Sequence, residues 1–248
     1  MKLFLIITGG LLALAVIAFL ALDFFLGSIV KSGVNSFAPQ ITQTSVVLDG
    51  ARLSPLSGKG TLTGLTVGNP KGWIAEKAFY LATVHIDVKP FSIFGDHIVI
   101  NEMLIDQPEF NYETKIVASN IGDLMKNIED AIGGGLGKGK SSTAKNGKPL
   151  KFEVKHFRMQ NGKVSLGLGA AAIPLPMPPI ELHDLGTKEG GITPSELTAA
   201  IMRSVTGSVV IATTQAAGQL GGTMGAAAGD AAKKTGEAIK GLFGGKKK

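Results

Sequence analysis

From residue 41 onward, apolar and polar positions alternate in short runs broken by Gly, Pro and Asn, the period-two signature of half-buried strands. "TVHIDVKP" puts Val84, Ile86 and Val88 on one face and His85, Asp87 and Lys89 on the other, while "TSVVLDGARLS" carries a turn signal at Asp49-Gly50. Three segments share a finer template: "LTGLTVGNP" (62–70), "INEMLIDQP" (100–108) and "VKHFRMQNG" (154–162). Each reads apolar, two variable, apolar, one variable, apolar, one variable, then Asn or Gln and Pro or Gly. The copies are offset by 38 and 54 residues, so they do not form a strict-period solenoid.

A strand that shifts phase by a bulge in the three-residue gap, then ends at a chain-reversing turn, accounts for the template. "EFNYET" after Pro108 and "KVSLGL" after Gly162 read as return strands, so each copy is half a hairpin. The apolar positions are Leu62, Leu65 and Val67, then Ile100, Met103 and Ile105, then Val154, Phe157 and Met159. They form one face, either a groove for a lipid chain or a surface for packing a helix.

The period changes to helical in two places. In "SNIGDLMKNIEDAI", Ile121, Leu124 or Met125, Ile128 and Ile132 share a face, Ser119 or Asn120 can cap, and Asp123 lies in the first turn. In "ITPSELTAAIMRSV", Thr193 as N-cap, Pro194 at the first helical position and Glu196 make a capping box. Leu197, Ile201, Val205 and Val209, followed by Ala212, Ala216 and Leu220, predict a long amphipathic helix that packs on the sheet or lies on a membrane. Four prolines between Pro174 and Pro179 suit an extended segment at a sheet edge.

The N-terminus follows a different rule. Leu3 to Leu22 is a charge-free run that, at 1.5 Å per residue, spans a hydrocarbon core of about 30 Å. Its apolar core exceeds that of a cleaved signal peptide, and Phe24, Phe25 and Leu26 follow without a small-residue cleavage site. An uncleaved anchor with the polar body outside is the simplest topology, although Lys2 and Lys31 make the positive-inside signal weak.

The formal net charge of +6 is concentrated in two tethers, Lys138 to Lys151 and the last nineteen residues, which leaves the rest slightly acidic. No basic face for nucleic acid is therefore expected. Lys246, Lys247 and Lys248 next to Leu242 and Phe243 suit an anionic lipid surface. With no cysteine, disulfides, thiolate metal sites and cysteine nucleophiles are excluded.

"GGLGKGKS" (134–141) matches the nucleotide-binding P-loop pattern in letters only, because a helical segment precedes it and the polar "SSTAKNGKP" follows. A P-loop needs a strand before it and a helix behind it, so a flexible basic linker is the better reading. His85, His97, His156 and His183 lie in separate strand segments without metal-ligand spacing. Nothing here predicts an enzyme, a cofactor or a metal.

The strings "LDGARLSPLSGKGTLTGLTVGNPKGW", "DVKPFSIFGDHIVINEMLIDQPEFNYE", "SNIGDL", "FEVKHFRMQNGKVSL" and "IELHDLG" resemble the membrane-anchored AsmA family of Gram-negative bacteria. The resemblance covers about residues 1 to 190 and implies an inner-membrane helix followed by a periplasmic β-rich body. In larger relatives that body is an elongated, groove-forming sheet with roles in envelope lipid homeostasis; this chain has far fewer strands.

The expected architecture is an N-terminal transmembrane helix plus an α+β body, with an antiparallel sheet able to form a groove, a short internal helix and a long C-terminal amphipathic helix. The expected segments are 1–27 membrane anchor, 28–132 first β segment with its helix, 133–150 flexible basic linker, 151–192 second β segment, and 193–248 C-terminal helix and basic tail. The expected function is non-enzymatic: a structural or lipid-handling role in the bacterial envelope, with phospholipid or an envelope protein as partner. The alternative is an interaction module docking a membrane complex.

Overall fold

The computed structural model describes Gly10 and residues 25–54, 56–115, 117–133, 147–167, 172–188 and 190–219. Among the described residues, three α-helices lie on a single sheet. Helix α1 covers residues 25–42, α2 is Asn120–Gly133 and α3 is Pro194–Gln219. The strands are β1 (Val46–Leu53), β2 (Lys59–Gly68), β3 (Lys77–Val88), β4 (His97–Asp106), β5 (Glu109–Tyr112), β6 (Lys151–Gln160), β7 (Lys163–Leu166), β8 (Ile173–Pro176) and β9 (Ile180–Leu185).

The sheet is mixed rather than purely antiparallel, because β4 and β6, and likewise β5 and β7, run parallel. The reason is connective: after β5 the chain passes through α2 before entering β6, and such a crossover returns the chain in the same direction. The segments on either side of the Gly/Lys linker thus share one sheet.

The three template copies fall into place within it. The offset of 54 is the parallel register itself: Ile100 lies beside Val154, Met103 beside Phe157 and Ile105 beside Met159. The three-residue gap does carry irregular backbone. Asp87 pairs with Glu102 and Val88 with Ile100, leaving Asn101 as an extra bulged residue. In β2 the gap holds Gly64 at φ +65, where a Cβ would collide with the Asp49 side chain. The expected turn at Asp49-Gly50 is absent for a related reason, since β1 runs straight through it with Gly50 paired to Thr63.

The template's end behaves differently from expectation. Only the first copy reverses, at Asn69 and Pro70. In the other two the strand resumes in the same register: β3 pairs Thr83 with Asp106 and then Tyr80 with Glu109. Gln107 (φ 54) and Asn161 (φ 55) sit side by side in left-handed conformation and crease the sheet without turning the chain. Bonds from Gln107 N–H to the Gln160 carbonyl (3.0 Å), Lys163 N–H to that of Pro108 (2.9 Å) and Met177 N–H to that of Gly162 (2.8 Å) hold the strands together across the crease. The two copies are therefore long creased strands, not half hairpins.

Helix α1, described from residue 25, overlaps the span read as anchor and occupies residues where the sequence suggested the beginning of the β segment. It turns Val34, Ala38 and Ile41 to the core. Its Asn35 side chain meets the free edge of β1, accepting from Leu48 N–H at 2.7 Å and donating to the Leu48 carbonyl at 3.3 Å. One amide thus satisfies both outward-pointing backbone groups of an edge residue and blocks strand addition there. At the opposite edge, β8 carries Pro174 and Pro176, residues tolerated where no further strand pairs.

Candidate functional site

Register sorts the side chains into two faces. On the inner face one row runs Val46, Val67, Phe79, Phe110, Val164, Leu175, and another runs Leu62, Val84, Ile105, Met159, Ile180. Of the nine apolar template positions, Val67, Ile100, Ile105, Val154, Phe157 and Met159 are buried, while Leu62, Leu65 and Met103 are half-buried against the same core. That core includes Ile121, Leu124 and Ile128 of α2 and Leu197, Val205 and Val209 of α3, so the protein's own helices pack against this face.

Helix α3 starts as its capping box requires. Thr193 Oγ1 accepts from Glu196 N–H at 3.3 Å, and the Glu196 carboxylate accepts from Thr193 N–H at 2.8 Å. Its Leu197, Val205 and Val209 are buried and Ile201 half-buried, with Ala199, Met202 and Ala212 adding to the contact. Residues 194–216 are long and apolar enough to cross a bilayer by composition, at mean hydropathy 1.3, but 44% of that window is buried within the protein. The helix packs on β6 to β9 and on α2, where Arg203 and Glu129 lie 3.4 Å apart.

One constellation escaped the sequence reading. Glu113 is buried and its carboxylate accepts from Ala75 N–H (2.7 Å), Ile74 N–H (2.9 Å) and Asn69 Nδ2 (3.0 Å). Asn120, fully buried, donates to Asn69 Oδ1 and to the Asn111 carbonyl, both at 2.7 Å, and accepts from Glu113 N–H at 3.0 Å. Ser119 meanwhile caps α2 through Gly122 N–H at 3.1 Å, which frees Asn120 for this network. Trp73 closes the site, donating to Asp123 at 2.9 Å under the Lys115 ammonium, 4.3 Å from its ring. Every member pins the 69–76 loop to the start of α2, which is a structural task.

The outer face is polar, and no described element covers it. Its rows read Arg52, Thr61, His85, Leu104, Arg158, Glu181 and Lys59, Asp87, Glu102, His156, His183. A depression of about 520 Å³ opens between β1 and β4 around Arg52, Thr61, His85, Asp87, Glu102 and Leu104.

Beside it the histidines depart from expectation. His156 and His183, far apart in the chain, are cross-strand partners with rings stacked at 4.7 Å and 12°. Glu181, two residues before His183 and so on the same face, places Oε1 at 2.6 Å from His156 Nε2 and 3.6 Å from His183 Nε2. The hydrogen bond with His156 holds the Glu181 carboxyl below its ordinary range. An i, i+2 Glu-x-His on a strand was legible, but its third member needed the β6–β9 register.

Residues 134–141, the letters of the P-loop, and Lys246, Lys247 and Lys248 lie outside the described residues. So does most of the segment read as anchor, Gly10 and residues 25–27 aside. No protein-family model matches this chain, and no curated protein does either.

Proposed function

We propose that this chain is a non-enzymatic, membrane-anchored envelope protein of AsmA-like type, with residues 3–22 in a bacterial inner membrane and the body seated on its periplasmic side as a structural module. What carries the reading is a convergence at one end of the sheet. The charge-free run is followed by α1, which at Gly27 lies against the end of β1: a Cβ there would strike the Ala51 carbonyl. Phe25 and Ile29 are exposed there, at 66% and 47%. The same end of the sheet holds the β1–β2 turn with Leu56 at 64% and the β3–β4 loop with Phe91 and Phe94 at 64% and 52%.

Large apolar side chains concentrated at loop tips signal a contact surface. Each would gain about 1.5–3 kcal/mol on entering hydrocarbon. Lys59, Lys89 and Lys151 sit at strand ends beside them, and each lysine near an anionic surface adds about 1 kcal/mol. The filled inner face favours a scaffold over a lipid conduit, since Phe157, Val154 and Val209 leave no exposed surface for an acyl chain.

The absence of cysteine makes the test direct. Full-length protein carrying one bimane label at Leu12→Cys, Leu56→Cys, Phe94→Cys or Val117→Cys is reconstituted into phosphatidylethanolamine/phosphatidylglycerol vesicles containing nitroxide lipid. Quenching at 12, 56 and 94 but not at Val117, at the far end of the sheet, is expected. An unquenched label at 12 refutes the anchor. Quenching at 12, with 56 and 94 no more quenched than 117, refutes the seating of the body on the bilayer. Labelling of Val117→Cys by a membrane-impermeant maleimide in spheroplasts checks the side.

A further inference from the structure

We propose that His156, Glu181 and His183 form a binding site for a divalent cation of the zinc class. The site stands on the outer face and does not depend on how the chain meets a membrane. Three observations carry it. One ring nitrogen from each histidine and a carboxylate oxygen lie within 4.8 Å of one another. The rings are stacked, and both Nε2 atoms approach the same oxygen, Glu181 Oε1. The strand register sets this geometry: β6 pairs His156 with His183 and Arg158 with Glu181.

A tetrahedral ion with metal–ligand bonds of about 2.0–2.1 Å needs its ligand atoms roughly 3.3 Å apart. Separations of 2.6 and 3.6 Å from the Glu181 oxygen bracket that value, and turning the two nearly parallel rings toward each other would aim both Nε2 lone pairs at one ion. Two imidazoles and one carboxylate select Zn²⁺, Ni²⁺ or Cu²⁺ over the hard cations Mg²⁺ and Ca²⁺, which prefer all-oxygen shells.

Three protein ligands leave a fourth position open. Here it points to solvent, because Glu181 and His183 are 57% and 60% exposed in their side chains. Arg158, the cross-strand partner of Glu181, carries a charge that would repel the ion, but its guanidinium is held by Glu102 at 2.8 Å, on the adjoining strand. The ion would bridge β6 to β9, the strand from which the chain passes to α3.

The test uses untagged full-length protein in detergent micelles, freed of metal by chelator. Titration calorimetry with Zn²⁺, and Cu²⁺ electron paramagnetic resonance for nitrogen ligation, should give one equivalent of ion and a two-nitrogen signature. His183→Ala, His156→Ala and Glu181→Gln should each weaken Zn²⁺ binding about tenfold or more, the scale of loss at metal-site shells. Mg²⁺ should not compete. Because all three side chains lie on the uncovered face, circular dichroism melts of the variants should match the parent, which separates lost binding from lost folding. Uptake by the His156→Ala/His183→Ala double variant equal to the parent's, or a Cu²⁺ spectrum without coupled nitrogens, overturns the proposal. Displacement of Zn²⁺ by Mg²⁺ overturns the assignment of cation class.

Discussion

Replacing Asn120 by Ala removes three buried hydrogen bonds at once: to Asn69 Oδ1, to the Asn111 carbonyl and from Glu113 N–H. A net contribution of about 1 kcal/mol per bond gives a loss of about 3 kcal/mol, and partners left dry push it toward about 4 kcal/mol. Against a total stability of about 5–15 kcal/mol for a domain, that is a large fraction. Asn120→Asp keeps the shape but replaces the donating Nδ2 with an acceptor facing two more acceptors, so it should cost at least as much as Ala. The assay is urea unfolding of the full chain in micelles, followed by fluorescence of Trp73. This is the single tryptophan of the sequence, and it is bonded to Asp123 beside the network. A loss below about 1 kcal/mol for Asn120→Ala, the value of a single exposed polar contact, would refute the argument that the network clamps the loop. An Asp variant near wild type would show that packing volume, not donor count, is what Asn120 supplies.

Two further outcomes follow from local geometry. Thr193→Ala should lower stability by about 1 kcal/mol through loss of the α3 N-cap, with Thr193→Ser restoring most of it; thermal melts followed at 222 nm decide. Burial raises the Tyr112 phenol above its ordinary 10.0, partly countered by a hydrogen bond with Ser119. The folded state thus favours the neutral phenol, so this contribution is intact below pH of about 10 and is lost as pH rises through the folded-state value. Unfolding midpoints measured from pH 8 to 11 should fall more steeply for the parent than for Tyr112→Phe; parallel slopes would contradict it.

Composition and periodicity were enough for what depends on neighbours along the chain. Alternation at Val84, Ile86 and Val88 yields a strand whatever it pairs with, and Thr193, Pro194 and Glu196 start a helix from local bonds alone. The template at 62–70, 100–108 and 154–162 even foretold irregular backbone in its gaps, since Ile100, Met103 and Ile105 share the inner face only with an extra residue between the first two. Helix α1 was hidden because Gly33, Asn35, Ser36 and Pro39 are poor helix formers, outweighing the spacing of Val34, Ala38 and Ile41.

Pairing decided the rest. Whether Gln107-Pro108 and Asn161-Gly162 turn the chain or crease it depends on β3 and on the parallel neighbour already holding the register, and no local propensity encodes that. Asn120 could as readily have capped its helix; a loop 51 residues earlier drew it into a buried network. The outer-face cluster makes the same point: Glu181 and His183 share a face because strands have period two, but His156 reaches them only because one long-range register, set by Phe157, Met159 and Ile180 packing inward, leaves their alternates facing out.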